Sequence, residues 1–396
     1  MSLSFLNGFV DLPWWGYILY ALFLVQITIA SVTLYLHRSQ AHLSLDIHPI
    51  LSYFFRFWIW LTTGMSTVEW VAVHRKHHAT CETEADPHSP RIYGLGKVLF
   101  EGTELYKKAA TDPATIDRYS HGLPNDWLEN NLFRGRFSYA GIYIMMLINF
   151  LLFGFIGLSI WAIQMIWIPL HGAGGINGIG HYWGYRNYET TDDSTNIYPW
   201  AFWIGGEELH NNHHAYPSSA KFSIKPWEFD IGWVWIKLLA SVRLARVKKV
   251  APRPALDANK QQIDMETVTA VVRSKLDVMA NYANNVIKPV FIEERGKAEL
   301  FRQQILKKAK AALILDRSRM KAHHRERLNQ ALENFSQIKT VYQFRLQLQE
   351  VWDRTYSSQE KLLQALREWC HRAEQSGVMA LREFAESLRG YTLQVA

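Results

Sequence analysis

Residues 138–180 read "SYAGIYIMMLINFLLFGFIGLSIWAIQMIWIPLHGAGGINGIG" and contain no charged side chain. The hydrocarbon core of a bilayer is about 30 Å thick, and a helix crosses it with roughly 20 residues. The stretch is therefore long enough for two crossings, and we predict two membrane helices with a turn near residues 154–159. A run of this length without charge would be very unusual inside a soluble domain. The sequence therefore indicates an all-α integral membrane protein.

A second uncharged stretch lies near the N-terminus. Residues 14–36, "WWGYILYALFLVQITIASVTLYL", are long enough for one further crossing. A cleaved signal peptide is not expected, because no basic residue precedes the run and its length is that of a span. The sequence therefore predicts about three transmembrane helices.

Histidines are concentrated next to these apolar runs. The clusters are His37 and His42 in "HRSQAH", His74, His77 and His78 in "HRKHH", and His210, His213 and His214 in "HNNHH". Positions i, i+3 and i+4 share one face of a helix, so each HxxHH cluster can direct three imidazoles to one point. His37 and His42 lie about 140° apart on an ideal α-helix, so we expect the helix to fray there or the two residues to serve different metals. His181, at the end of the third predicted span, brings the number of candidate ligands to nine.

Nine imidazoles are too many for one ion, but they suit two ions with four or five nitrogens each. Zinc is normally satisfied by three or four ligands, so a pair of iron ions is favoured. The nearby carboxylates Asp86 and Glu207 are expected to orient the histidine rings by hydrogen bonding.

Residues 50–68 are apolar enough to span a membrane, but they contain Arg56. If this stretch crossed, the first two histidine clusters would lie on opposite sides and could not share a site. We therefore predict a helix that lies in the interface or is buried against other helices, with Arg56 reaching headgroups or water. Residues 1–13 contain no Lys or Arg, whereas basic residues follow the first span, which is typical of a cytoplasmic side after that span. The active site is therefore expected to face the cytoplasm.

In this order around membrane spans, H-x4-H, HxxHH and HxxHH resemble the clusters of the membrane-bound fatty acyl desaturases. The resemblance continues in "EWVAVHRKHHATCETEADPHSP" (69–90), "NGIGHYWGYRNY" (177–188) and "GGEELHNNHHAYP" (205–217). These motifs are similar to the delta-9 branch, which includes stearoyl-CoA desaturase and bacterial acyl-lipid relatives. The resemblance covers roughly residues 14–250.

The resemblance implies a ligand set and a reaction. In that family nine histidines bind two iron ions (Fe²⁺/Fe³⁺), and an asparagine holds a water at one of them. Carried over residue by residue, the metal ligands are His37, His42, His74, His77, His78, His181, His210, His213 and His214, with Asn177 acting through water. The implied reaction inserts a cis double bond, at delta-9, into a saturated acyl chain carried on phospholipid or coenzyme A. Dioxygen is consumed together with two external electrons.

The electrons are expected from a partner such as a ferredoxin with an NAD(P)H reductase. The chain has no haem-binding HPGG sequence, and its two cysteines, Cys81 and Cys370, cannot hold an iron–sulfur cluster on four thiolates.

Two other functions are compatible with histidine clusters beside membrane spans. A membrane di-iron hydroxylase of alkanes, sterols or carotenoids would release an alcohol instead of an alkene. A catalytically silent lipid-binding or metal-sensing membrane protein would show no oxygen-dependent turnover.

A second domain is expected after the proline-containing linker "KKVAPRPAL" (248–256). We assign residues 1–250 to the membrane-embedded desaturase domain and residues 251–396 to a soluble helical domain, whose apolar residues recur at helical spacing.

Residues 251–396 contain 24 Lys and Arg against 17 Asp and Glu, so the whole net charge of +7 lies there. Such a surface can rest on anionic membrane lipid, dock an acidic electron carrier or simply be soluble, and nucleic acid is not expected as a partner. His323 and His324 are interpreted as a solvated helix face. We expect the protein in a bacterial inner membrane.

Overall fold

The computed structural model describes residues 8–353 and 358–393, and most of these residues are helical. Contacts divide the chain into two compact units. The first unit consists of the described residues up to Arg186 together with Asp192–Ala251. The second consists of Asn187–Thr191 together with the described residues from Pro252 onward. A short segment within the first half of the sequence is thus part of the second unit.

The first unit is built from long helices with short strands between them. Its α-helices are α1 Trp14–Ala30, α2 Pro49–Thr63, α3 Thr67–Thr80, α4 Pro90–Tyr93, α5 Leu95–Ala110, α6 Pro113–Tyr119, α7 Ala140–Trp167, α8 His210–Ala215 and α9 Ile231–Ser241. π-Helical turns cover Ser31–Ala41, Glu129–Phe133 and Ile168–Ile179, and a 3-10 turn covers Gly135–Phe137. The strands are β1 Leu45–Ile47, β2 Trp200–Ala201, β3 Phe229–Asp230 and β4 Ala245–Val247.

Two helical segments, Trp14–Ala41 and Gly135–Ile179, are long and apolar enough to cross a membrane. The second is broken at Gly154, whose φ of 59° and ψ of −137° are not helical. The Trp161 indole donates a hydrogen bond to the Ile142 carbonyl at 3.1 Å. Nineteen residues along a straight helix would separate these groups by about 28 Å. The two arms of α7 therefore fold back on each other at the position where the sequence predicts a turn.

Helix α2, within the stretch that contains Arg56, is not among the two candidate membrane helices. It begins with Pro49 in its first turn and ends at Gly64, whose φ of 67° suits glycine. The prediction that Arg56 reaches headgroups or water is wrong. Its guanidinium is buried and donates to Asp126 at 2.6 and 2.8 Å and to Glu129 at 3.1 Å. A buried cation needs such partners, because it is costly to remove an unpaired charge from water.

The helix that carries the first histidine cluster does not fray. It continues beyond α1 as the π-helix Ser31–Ala41, and the His42 amide donates to the His37 carbonyl, five residues earlier, at 3.1 Å. A bond between residues i and i+5 brings the two side chains onto adjacent positions, with ring centroids 4.8 Å apart. The sequence predicted that the helix would fray or that His37 and His42 would serve different metals, because it assumed an α-helix. In the π-helix both rings belong to one group of candidate ligands.

Arg38 follows His37 in this π-helix and is fully buried. Its guanidinium donates to Asp230 Oδ1 at 2.9 Å and to the carbonyls of Gly205 and Ala220 at 2.9 and 2.8 Å. Three distant segments are thereby fixed around the helix that carries His37.

Strand β1 pairs antiparallel with β4, so that Asp46 lies opposite Arg246, 200 residues later.

The second unit has a continuous apolar core. Its α-helices are α10 Met265–Arg273, α11 Lys275–Tyr282, α12 Lys288–Lys297, α13 Leu300–Ala309, α14 Ala322–Asn334, α15 Ser336–Asp353, α16 Gln359–Glu374 and α17 Met379–Arg389. A π-turn covers Ala283–Ile287, a 3-10 turn covers Arg317–Arg319, and β5 Ala255–Leu256 pairs with β6 Tyr391–Thr392. The core includes Tyr282, Leu306 and Trp369. Tyr188, from the segment Asn187–Thr191, is buried and donates its hydroxyl hydrogen to Asp277 at 2.9 Å.

Candidate metal centre

Five of the histidines form a first group of convergent ring nitrogens. The group contains His37, His42, His74, His78 and His213, and its candidate ligand atoms all lie within 4.8 Å of one another. His213 Nε2 is 3.1 Å from His37 Nε2 and 2.9 Å from His78 Nε2. His42 Nε2 is 2.8 Å from His74 Nε2. The cluster draws on the π-helix Ser31–Ala41 and the residue that caps it, and on α3 and α8.

A second group adjoins the first. His181 Nε2 lies 3.2 Å from His77 Nε2 and 2.9 Å from His210 Nε2. The His214 ring lies 4.7 Å from the His181 ring and 4.5 Å from the His210 ring, centroid to centroid. His214 Nε2 is buried and has no hydrogen-bond partner among the described residues. The two groups meet where the rings of His78 and His214 stack at 4.4 Å.

Carboxylates fix the opposite nitrogens of several rings. His37 Nδ1 lies 2.7 Å from Glu207, and His77 Nδ1 lies 3.0 Å from Asp86. These contacts confirm that Asp86 and Glu207 orient histidine rings. In the same way His181 Nδ1 lies 3.3 Å from Glu82, and His214 Nδ1 lies 3.1 Å from Asp192. The list of orienting groups is therefore Glu82, Asp86, Asp192 and Glu207.

This pattern makes metal binding the best account of the short distances between ring nitrogens. A neutral imidazole that donates from Nδ1 has only a lone pair at Nε2, so the facing Nε2 atoms of His37, His77 and His181 present lone pairs. Such atoms repel unless a cation lies between them. Two nitrogens bound at right angles to one ion, at about 2.1 Å each, lie about 3.0 Å apart. The observed 2.8–3.2 Å agrees with that value.

The electrostatics of the site also suit cations. Burial lowers the pKa of His42 to about 3 and that of His214 to about 4, so both rings are neutral ligands at neutral pH. Burial also opposes ionisation of Asp192, but His214 holds the pKa of that carboxyl well below its usual range. Burial raises the pKa of Glu207 to about 8, and a cation bound beside His37 would lower it again. The four orienting carboxylates carry the charge that two divalent ions would balance.

The structure brings all nine predicted histidines into these two adjoining groups. Asn177 lies in the π-helix Ile168–Ile179 and lines the same cavity as His210. Sequence reasoning missed Glu82 and Asp192 as orienting groups, and no spacing rule distinguishes them from other acidic loop residues. It also did not place Cys81 at the site, although Cys81 Sγ lies 3.9 Å from His77 Nε2 and from His181 Nδ1.

A cavity of about 390 Å³ runs past both groups. His37, His74 and His210 contribute to its wall. Much of the remaining wall is apolar or aromatic, and the list includes Ile29, Val32, Met65, Trp70, Val73, Tyr106, Tyr139, Ile168, Ala173, Ile176 and Ile204. Trp70 also stacks on the His74 ring, with centroids 4.9 Å apart. The hollow can accept a long apolar chain next to the convergent nitrogens.

Comparison with known proteins agrees with this site. Residues 12–241 match the family model described as fatty acid desaturase. The chain is 30% identical to Delta-9 acyl-lipid desaturase 1 of Arabidopsis thaliana over 58% of this chain and 74% of the relative. It is 32% identical to sn-1 stearoyl-lipid 9-desaturase of Synechocystis sp., over 58% and 70% of the two chains. It is also 32% identical to Acyl-CoA C20 Delta5-desaturase of Anemone leveillei, over 56% and 69%.

A second family model matches a different part of the chain. Residues 278–396, within the second unit, are similar to a model described as a transposase. This match covers less than half of the chain, whereas the desaturase match covers more than half and contains every candidate metal ligand. The chain therefore belongs to the fatty acid desaturase family of oxidoreductases.

Proposed function

We propose that the protein is an oxygen-dependent acyl desaturase that inserts a cis double bond at delta-9 of a saturated acyl chain. The observation that carries the proposal is the convergence of buried Nε2 atoms on the wall of an apolar cavity. The names of two relatives, a Delta-9 acyl-lipid desaturase and a stearoyl-lipid 9-desaturase, support the position of the bond and a lipid carrier. An acyl-CoA Delta5-desaturase is similarly related, so carrier and position both require measurement.

Two iron ions are proposed as the cofactor. One would be held by the first histidine group. The other would be held by His77, His181, His210 and His214, with Asn177 reaching it through water. Bound iron would supply the oxygen activation needed to break C–H bonds at methylene groups, which have no acidic hydrogen. The carboxylates on His37, His77, His181 and His214 keep each Nε2 lone pair directed at its ion.

The protein's own side chains would bind and shield the substrate. The apolar wall accepts the acyl chain and excludes water, and Trp70 holds the His74 ring by stacking beside that wall. Electrons would come from an external donor, such as a ferredoxin with its reductase.

We further propose three membrane spans, one in Trp14–Ala41 and two in the arms of Gly135–Ile179. The broken helix at Gly154 and the contact between Trp161 and Ile142 support the hairpin. Residues 1–250 would form the catalytic domain in a bacterial inner membrane, with the histidines on the cytoplasmic side. Residues 251–396 would form a separate soluble domain.

Fatty-acid profiling of an expressing host tests the proposed reaction. We expect a new cis-unsaturated acid with its double bond at carbon 9, found in phospholipid, and none from the His213→Ala variant. A hydroxylated product would instead identify a hydroxylase. A double bond at another carbon would support desaturation but refute the delta-9 position. An unchanged lipid profile with a competent electron donor present would refute both.

A further inference from the structure

The charge of the second unit is concentrated in one segment. Residues 300–327 contain nine Lys and Arg against two Asp and Glu, a net of +7 that equals the net charge of the whole chain. The segment consists of α13, the connection that follows it and the first half of α14. Like charges packed together reduce the stability of the fold, and the same field attracts an anionic partner.

Helix α13 combines these charges with exposed apolar side chains. Leu306 and Ala309 point into the core, and at 100° per residue the opposite side of the helix carries Leu300, Phe301 and Gln304. Leu300 is 79% exposed and Phe301 is 74% exposed. Adjacent exposed side chains of this size are unusual on a soluble domain unless they bind something.

Two lysines lie on the same side. Lys307 is seven residues after Leu300 and Lys308 is seven residues after Phe301, so each lysine lies about 20° around the helix from its apolar partner. Both lysines are exposed, and neither forms an ion pair within the described part of the chain. We call Leu300, Phe301, Gln304, Lys307 and Lys308 the α13 face. It spans an arc of about 120°.

We propose that the α13 face binds the surface of a bilayer that contains anionic phospholipid. Lys307 and Lys308 would contact lipid phosphates, while Leu300 and Phe301 would insert at the boundary between headgroups and acyl chains. Charge alone would equally suit a nucleic acid or an acidic protein. The two exposed apolar side chains favour lipid, because a phosphate backbone offers them nothing to bury against. The inference does not depend on the proposed reaction.

The test uses the full chain, embedded in nanodiscs of phosphatidylcholine, so that its membrane helices are already satisfied. These nanodiscs are mixed with separate vesicles that contain 30% phosphatidylglycerol, and binding is measured by flotation at low and high salt. Empty nanodiscs and phosphatidylcholine vesicles are the controls. We expect the protein to float with the anionic vesicles at low salt and to be released at high salt.

Paired variants locate the surface. Each lysine near an anionic leaflet contributes about a factor of five, so Lys307→Gln with Lys308→Gln should weaken partition roughly 30-fold. Lys288→Gln with Lys339→Gln removes the same charge from exposed positions outside the face and should change partition much less. Leu300→Ser with Phe301→Ser should also weaken binding to vesicles, at unchanged net charge.

Several outcomes would overturn the proposal. One is absence of binding to anionic vesicles by the unmodified chain. Another is an equal loss in both lysine pairs, which would indicate net charge rather than the α13 face. A third is binding to duplex DNA that survives Leu300→Ser with Phe301→Ser while vesicles are not bound, which would make this a nucleic-acid surface. Circular dichroism of each variant checks that the helices remain folded.

Discussion

Both units contain adjacent histidines: His213 and His214 in the first, His323 and His324 in the second. The first two rings are buried and lie among seven other imidazoles. In the second unit His323 is exposed, and His324 Nδ1 accepts a hydrogen bond from the Lys321 backbone at the start of α14. Carboxylates orient four rings of the first site, including His214, whereas cationic side chains surround the second pair.

The difference shows what turns a histidine pair into a site. Spacing on a helix brings rings to one face, but a ring becomes a candidate ligand where it is buried among other imidazoles. An acceptor on Nδ1, as Asp192 is for His214, also directs the Nε2 lone pair. The second unit buries mainly apolar side chains in one continuous core. The first unit places ionisable groups around a hollow, so we expect a bound ion to contribute part of its stability.

The largest expected effect is removal of a central ring of the first group. His213→Ala should abolish acyl desaturation and reduce the iron content, because His213 Nε2 lies near both His37 and His78. His323→Ala in the second unit is the matched control and should retain both properties. Iron analysis of the two purified variants, together with product analysis, checks this. Equal iron in both variants would remove the contrast between the two pairs.

A smaller loss is expected when the ring remains and its orienting carboxylate is removed. Asp192→Ala leaves His214 Nδ1 without its acceptor and should lower metal affinity by roughly 10- to 100-fold. Glu326→Ala, an exposed carboxylate close to the second histidine pair, should have no effect. Competition with a graded series of chelators measures the affinities. If both variants lose iron at the same chelator strength, orientation by Asp192 contributes nothing.

The cavity beside the first unit's histidine groups provides a third test. A side chain at Gly172 would enter open space on the cavity wall, since the nearest atom to an added Cβ is Ile168 Cγ2 at 3.8 Å. Gly172→Leu should lower kcat/KM for an 18-carbon chain by roughly 10-fold, the scale of a one-methylene mismatch in an apolar pocket. Gly175→Leu, in the same π-helix but outside the cavity wall, is the control. Equal rates in the two variants would mean that the hollow does not hold the acyl chain.

The smallest expected effect is the titration of the second pair. Partial burial and the nearby charges of His323 and Arg327 lower the pKa of His324 below its ordinary value of 6.5. Because the folded pKa lies below the unfolded pKa, the contribution of His324 to stability is complete above pH 6.5 and falls as pH drops through that window. Imidazole NMR titration of the full chain should show the His324 ring gaining a proton below pH 6.5, whereas metal-bound rings should not titrate in that pH range. A His324 pKa above 6.5 would contradict the sign.

The sequence predicted the turn near Gly154 and the two HxxHH clusters, because uncharged length and helical spacing are local properties. The other three histidines were predicted from their positions at the ends of the membrane spans and from the resemblance to the desaturases. It could not predict the surroundings of Arg56 or Arg38, since the acidic partners Asp126 and Asp230 lie 70 and 192 residues away. The π-helix that brings His37 and His42 together also has no signature in residue spacing. Asp192 was missed for the same reason as Asp126: its partner is defined only by the folded chain.

On the ribosome, strand β1 emerges long before its partner β4, because Asp46 and Arg246 are 200 residues apart. At synthesis rates of about 5–20 residues per second, the interval is roughly 10–40 s. During that time His37 and His42, directly before β1, lack both His213 and the strand that closes the unit. Iron offered early would meet only five of the nine histidines, since the other four begin at His181. We therefore expect metal loading to be a late, post-translational step, and a nascent chain stalled before β4 to remain exposed to degradation.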